Sequence, residues 1–189
     1  GVVLFHAYLL ANLRAMIAAA RVDSRDVFVS WLPLYHDMGL IGAVLGSMAG
    51  GFRLVLMSPL AFLARPERWL RAIAEHRGTL SAAPNFAYEL CATRLQDADL
   101  AGLDLSSWRL AFNGAEPVAA ATLERFARRF APCGLAPTAL TPVYGLADQM
   151  IVALVPIDRV RAIAAVDRVV AETSLDHVVV ICPSNVLRV

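Results

Sequence analysis

The sequence predicts an α/β fold, a mainly parallel sheet with flanking helices, and three observations carry the prediction. Short β-branched and apolar runs alternate with segments of helical period. The intervals between successive runs are long enough for a crossover helix, which parallel neighbours require. Four of the runs that read as strands are each followed at once by a polar or glycine-bearing cluster, as at the carboxyl edge of an open parallel sheet.

The elements follow in order. From His6 to Arg21, Leu9, Leu10, Leu13, Met16 and Ile17 recur at spacings of three and four, so the segment is expected to be helical with one packed side. Val27 to Leu32 and Arg53 to Met57 are short and rich in β-branched and apolar residues, and read as buried strands with a Gly-rich apolar helix between them. Pro66 opens a helix through His76 that turns Trp69, Leu70 and Ile73 inward, and Thr79 to Ala82 is the next strand. Asn85 to Leu95 reads as helix, Arg109 to Phe112 as strand, Pro117 to Phe130 as amphipathic helix and Leu140 to Tyr144 as strand. Beyond Asp148 the pattern predicts a strand or helix start at Met150 to Val155, a helix from Ile157 to Ala171 and a strand from His177 to Cys182.

Composition narrows the class. A chain of 189 residues fits one domain or a large part of one. With 58% hydrophobic and 17% charged residues, disorder is excluded and the choice lies between a buried core and a membrane. Met38 to Phe52 is apolar but shorter than the ~20 residues a bilayer crossing needs, and Pro132, Pro137 and Pro142 break the longer uncharged stretch from Phe130 to Ala147. The expectation is therefore a soluble protein with no membrane span. The first residues show no signal-peptide pattern, which points to the cytoplasm. Cys91, Cys133 and Cys182 are odd in number and widely spaced, which argues against a disulfide framework and a zinc site. Net charge is +1 with scattered basic residues, so no nucleic-acid partner is expected. All 17 basic side chains are arginine, and the chain has no lysine.

Four clusters follow the strands: Leu34 to Gly39, Ser81 to Phe86, Asn113 to Pro117, and Tyr144 to Asp148. If the sheet is parallel, they converge on one crevice, although α/β loops need turn residues in any case. Each cluster has a bland reading beside the functional one. His36 with Asp37 has no H-x-x-x-H partner and reads equally as a loop histidine held by backbone. Glu116-Pro117 reads as a helix start, where a carboxylate meets the positive end of the dipole. Tyr144 beside Gly145 suits a flat ligand stacked on the ring, or simple core packing.

Together and in order, these clusters resemble the adenylate-forming superfamily, and within it the fatty acyl-AMP ligases. Trp31 to Gly42, WLPLYHDMGLIG, is similar to that family's histidine motif. Ser81 to Leu90, SAAPNFAYEL, resembles a segment of the fatty acyl branch, and NGAEPV at Asn113 to Val118 resembles the adenine loop. YGLAD at Tyr144 to Asp148 resembles a motif usually written YGLAE. The resemblance implies ATP plus fatty acid giving acyl-adenylate and pyrophosphate, with ATP/AMP and Mg2+ as the bound groups. A fatty acid is the implied substrate, and an acyl carrier protein or polyketide synthase the implied acceptor. It implies His36 as the catalytic residue at the acyl carboxylate, and Pro84, Asn85 and Phe86 at the acyl chain. Asn113, Gly114, Ala115, Glu116, Pro117, Tyr144 and Gly145 would meet the nucleotide, with Asp148 on the metal.

The resemblance runs from Gly1 to about Asp148, so the expected organisation is an incomplete adenylate-forming N-terminal domain, a partial AMP-binding (adenylation) domain over residues 1–148. Residues 149–189 are expected to form a divergent α/β tail of unknown role. Three departures bear on activity: the family's phosphate loop would precede Gly1, Asp148 stands where the family has glutamate, and no counterpart of the C-terminal domain with its lysine is found. The expectation is a fragment or remnant of a fatty acid:AMP ligase, a pseudoenzyme when alone. The alternative is a non-catalytic module that binds an acyl chain or lipid, or pairs with another subunit. An α/β hydrolase is disfavoured because no G-x-S-x-G elbow occurs.

Overall fold

The apolar runs form five strands, β1 (Val27–Ser30), β2 (Arg53–Leu56), β3 (Leu80–Ala83), β4 (Leu110–Asn113) and β5 (Leu140–Tyr144). The computed structural model describes residues 4–144, 153–154, 179–181 and 186–188. The strands lie in the order β2-β1-β3-β4-β5 and every neighbouring pair among them is parallel. A short β6 (Ala153–Leu154) adds antiparallel to β5, and β7 (Val179–Ile181) pairs antiparallel with β8 (Val186–Arg188) as a separate ribbon. The expected mainly parallel α/β fold is what the chain adopts.

Position in the sheet explains the strand sequences. All four residues of β1 and of β3 are buried, because central parallel strands are covered on both faces and so read as continuous apolar or small residues. The edge strand β2 is only partly covered, and its Leu56 is exposed.

The helices are α1 (His6–Ala20), a π-helix (Met38–Leu45) running into α2 (Gly46–Gly50), α3 (Pro59–Ala64), α4 (Glu67–His76), α5 (Asn85–Arg94) and α6 (Ala120–Phe130). Right-handed crossovers put the π-helix and α2 on one face of the sheet, where α1 packs on them, and α4, α5 and α6 on the other. The second face holds an aromatic core. Trp69 of α4 meets Tyr88 of α5 and Trp108 edge-on, each at 5.4 Å between ring centroids, and Phe126 of α6 meets Tyr88 at 5.0 Å. The Trp69 indole N–H donates to Ser81 Oγ at 2.8 Å, and the Ser81 hydroxyl donates to the Val29 carbonyl at 2.6 Å, joining helix, β3 and β1 through buried polar atoms.

The amino edge of the sheet is closed by a staple. Asp26, almost wholly buried, accepts from Arg109 Nε at 2.9 Å and Nη2 at 2.7 Å, from Thr79 Oγ1 at 2.7 Å, and from its neighbour Asp23 N–H at 2.9 Å. The same guanidinium donates to the carbonyls of Ala20 and Arg21, which end α1.

Several expectations shift. The helix between β1 and β2 is in part a π-helix, and α3 was not expected at all. The segment starting at Pro117 enters α6 only at Ala120, because Ala115 has φ 64 and Ala119 is extended at φ −93, ψ 118. In the tail, β6 falls in the segment read as a strand or helix start and β7 inside the predicted strand, whereas β8 was not foreseen. The predicted helix from Ile157 to Ala171 lies outside the described residues. No described helix is long and apolar enough to cross a membrane.

Candidate functional site

The strand order reverses between β1 and β3, and in an open α/β sheet the crevice outside the carboxyl ends at such a reversal is where ligands bind. The loops after β1, β3 and β4 all leave the sheet at this edge.

After β1, Trp31 and Leu32 turn into the core while Tyr35 is 93% exposed. His36 sits between them and the π-helix, with its side chain about half exposed. Its carbonyl accepts from Gly39 N–H at 2.9 Å and Leu40 N–H at 2.8 Å, and its Nδ1 accepts from Met38 N–H at 3.2 Å. With Nδ1 an acceptor, Nε2 carries the proton and is a donor. Gly39 is obligatory, since a Cβ there would collide with the Pro33 carbonyl.

After β3, Pro84 leads into α5, and the Phe86 ring stands edge-on to Trp31, with centroids 6.2 Å apart. Trp31 in turn stacks on Phe62 of α3 at 4.0 Å. These rings form an aromatic wall, with Phe86 partly exposed at its end.

After β4, Asn113 is fully buried, and its Oδ1 has no hydrogen-bond partner among the described residues. Gly114 lies against β5, where a Cβ would meet the Val143 carbonyl oxygen at 2.6 Å. Ala115 is forced into the left-handed region, uncommon for a residue with a side chain, and Ala115, Glu116 and Pro117 are exposed. The turn therefore presents main chain outward.

Two of the clusters are tied together directly. Phe86 N–H donates to Glu116 Oε1 at 2.6 Å, and Asn85 Oδ1 accepts from Asn113 Nδ2 at 3.3 Å and from Ala119 N–H at 3.1 Å. Gly114 N–H donates to the Ala83 carbonyl at 3.3 Å, and the buried Tyr88 hydroxyl donates to the Phe112 carbonyl at 2.7 Å. Burial holds that phenol protonated well above its ordinary range. The contact between Trp31 and Phe86 brings the β1 loop to this pair, whereas the hydrogen bonds of His36 stay within its own loop. Tyr144 ends β5, two residues past Pro142, the register partner of Asn113. Gly145 and Asp148 lie outside the described residues.

Sequence reading missed Phe62 and the role of Trp31 in the wall. Ser58-Pro59 could have revealed the helix that carries Phe62, since the Ser58 hydroxyl accepts from Leu60 N–H and Pro59 occupies the first turn. The buried thiol of Cys91 is pushed far above its ordinary value by desolvation, so it is no nucleophile.

A family model described as "AMP-binding enzyme" matches residues 1–178. The chain belongs to the AMP-binding enzyme family. The family match runs past Asp148, where the motif resemblance ends. The chain is 47% identical over 151 residues to the medium-chain-fatty-acid–[acyl-carrier-protein] ligase TtuA of Teredinibacter turnerae, covering 80% of this chain and 24% of that protein. It is 47% identical over 154 residues to 4-hydroxyphenylalkanoate adenylyltransferase of Mycobacterium tuberculosis, covering 80% of this chain and 25% of the relative. Among solved structures, the fatty acyl-adenylate ligase from L. pneumophila in complex with acyl adenylate and pyrophosphate superposes with a TM-score of 0.77 at 44% identity, over 79% of this chain and 26% of that one. The chain thus spans about a quarter of the length of these curated relatives.

Proposed function

We propose that the chain forms the acyl-facing and adenine-facing part of a fatty acyl-AMP ligase, and that these 189 residues do not complete the reaction alone. In the reaction a fatty-acid carboxylate oxygen attacks the α-phosphorus of ATP. A carboxylate–phosphorus bond forms, the bridging bond between the α- and β-phosphates breaks, and its electron pair leaves on pyrophosphate. One observation carries the reading: in a chain of the AMP-binding family, the loops after β3 and β4 are hydrogen-bonded to each other beside an aromatic wall at the carboxyl edge.

The residues fit the groups they would meet. The turn from Asn113 to Pro117 suits a flat base laid on main chain: Gly114 has no room for a side chain, Ala115 is exposed, and Asn113 has an acceptor unpartnered among the described residues. Phe86 and Pro84, backed by Trp31 and Phe62, suit an alkyl chain. His36 Nε2 would donate to the carboxylate or to the adenylate phosphate, orienting the attacking oxygen. Tyr144 and Gly145 at the base, and Asp148 on magnesium, rest on the sequence resemblance. Magnesium takes few protein ligands, so Asp148 and the substrate phosphates would carry it between them. Bound there, it would neutralise phosphate charge.

Inactivity of the isolated chain follows from its charges. Adenylation brings two anionic groups together, and a preorganised donor at such a centre is worth ~10²–10³ in rate. The chain has no lysine, and arginine's planar fork does not replace a point ammonium without repositioning. In a complete ligase the acyl-adenylate would pass to a carrier protein or polyketide synthase in the cytoplasm.

The test combines ATP–pyrophosphate exchange, across fatty acids of increasing length, with calorimetry using an acyl sulfamoyl adenosine as a stable acyl-adenylate mimic. The expected result is no exchange above a His36→Ala control, with one mimic bound per chain and affinity lowered about tenfold in that variant. Acid-dependent exchange would refute the inactivity, and absence of binding would refute the site. Fatty-acid binding indifferent to the adenosine portion would establish instead the lipid-binding module.

A further inference from the structure

The two helices that flank the candidate site begin without caps of their own. α5 has Pro84 at its N-cap position, which offers no side-chain acceptor, and α6 has Ala119, which offers none either. A helix start leaves several backbone N–H groups without intrahelical partners, so each must be satisfied from outside. Here one such N–H at each helix start is satisfied from the other helix's loop. Glu116, just ahead of α6, reaches back 30 residues in sequence to accept from Phe86 N–H in the first turn of α5. Asn85, the first residue of α5, reaches forward 34 residues to accept from Ala119 N–H at the start of α6, and also holds Asn113.

The exchange depends on the register of β3 against β4. Ala83 stands opposite Asn113, so the two loops leave the sheet side by side, and Gly114 N–H on the Ala83 carbonyl fixes the first step. Because Phe86 carries the aromatic wall and Ala115 the outward main chain, a bond across the loops locks one ligand-facing surface to the other.

We propose that Glu116 and Asn85 form a reciprocal clamp which sets the acyl-facing loop against the adenine-facing loop, acting as positioning residues rather than ligand contacts. This rests on the proposed function for the identity of the two surfaces. The clamp makes the subsites interdependent: ordering either loop by its ligand orders the other, so a fatty acid binds more tightly when nucleotide is present. The chemistry asks only for an acceptor at each position, so Glu116→Gln and Asn85→Asp retain the clamp while Glu116→Ala and Asn85→Ala open it.

Two measurements on the full chain decide the matter. The first needs no ligand: hydrogen exchange of the Phe86 and Ala119 amides, followed by NMR. Glu116→Ala is expected to accelerate exchange at both amides, on the order of tenfold or more, although Glu116 bonds only to Phe86, and Glu116→Gln is expected to restore protection. Asn85→Ala is expected to do the same in the reverse sense, with Asn85→Asp restoring it. Should Asn85→Ala not fold, the Glu116 arm decides alone, since Glu116 is exposed and its loss leaves the core intact. Acceleration confined to the directly bonded amide would overturn reciprocity. The second measurement is the affinity for a fluorescent fatty acid with and without saturating AMP. Wild type is expected to bind the acid about tenfold more tightly with AMP, and Glu116→Ala to lose that factor even at AMP concentrations that saturate the variant, with Glu116→Gln restoring it. If Glu116→Ala loses AMP affinity outright with its amides still protected, Glu116 is a ligand contact and the clamp is wrong. If wild type binds neither ligand, the proposed function fails, and the exchange data still test the clamp.

Discussion

Replacing Gly114 with alanine adds a single methyl group where the candidate site packs tightly against β5. An ideal Cβ there would lie 2.6 Å from the Val143 carbonyl oxygen and 2.7 Å from Val143 Cγ2, where ordinary contact begins at 3.4 Å. β5 would have to retreat from β4 by roughly 0.8 Å, enough to stretch a ladder hydrogen bond of ~2.9 Å beyond the range in which it holds. Overpacking of this kind costs about 1–3 kcal/mol, and the loss of one or two neutral hydrogen bonds agrees with the middle of that range. Gly114→Ala is thus expected to destabilise the chain by about 2 kcal/mol, lowering the urea midpoint by about 1 M at a slope of about 2 kcal/mol per M. Gly42, in the π-helix, is the control because a Cβ there meets nothing within 4 Å. Gly42→Ala should be neutral or stabilising by up to about 1 kcal/mol, through reduced freedom of the unfolded chain. Equal effects of the two substitutions, or a Gly114→Ala variant within 0.5 kcal/mol of wild type, would refute the steric reasoning.

Other consequences are open to measurement. Burial alone would push the Asp26 carboxyl up, but Arg109, Thr79 and the Asp23 amide outweigh it and hold it below the ordinary value. A carboxyl lowered in the folded state stabilises above its unfolded pKa of about 3.9 and loses that contribution as pH falls through the folded value. The wild-type urea midpoint should therefore fall more steeply below about pH 4 than that of Asp26→Asn. At neutral pH Asp26→Asn should cost about 2 kcal/mol, below the ~3–5 kcal/mol of a fully buried pair because Arg109 is partly solvated. Tyr88→Phe removes the buried hydroxyl donating to Phe112 and should cost about 1–2 kcal/mol in the same assay, with helicity unchanged. Cys91, fully buried with its thiol pushed up by desolvation, should resist alkylation in the folded chain and react only in denaturant, as mapped by mass spectrometry.

The sequence made the strands legible because central parallel strands leave an unbroken apolar signature, as in VFVS of β1 and LSAA of β3. The loops of the candidate site were legible for a related reason: turn residues must follow such strands, and four clusters did. The strand order was not, since nothing local in Arg53 to Leu56 shows that β2 lies outside β1 rather than beside β3. Periodicity could not separate the π-helix from an α-helix in MGLIGAVL, where almost every position is apolar. Pro117 suggested a helix start that the structure delays to Ala120, because the left-handed Ala115 and the cross-loop bond of Glu116 keep the intervening residues out of the helix. That bond, like Asn85 to Ala119, was invisible beforehand, because it exists only once the register of β3 and β4 is set. Glu116 read as a carboxylate at the start of its own helix, and it serves the start of another.

The central claim is that ligands meet this chain at the carboxyl edge of its sheet, at the loops after β1, β3 and β4. The most direct test is amide NMR of the isotopically labelled chain titrated with an acyl sulfamoyl adenosine. The largest shifts are expected at His36, Phe86 and Asn113 to Pro117, with the amino-edge staple of Asp26, Thr79 and Arg109 unmoved. Shifts concentrated at that staple, or spread evenly over the surface without saturating, would contradict it.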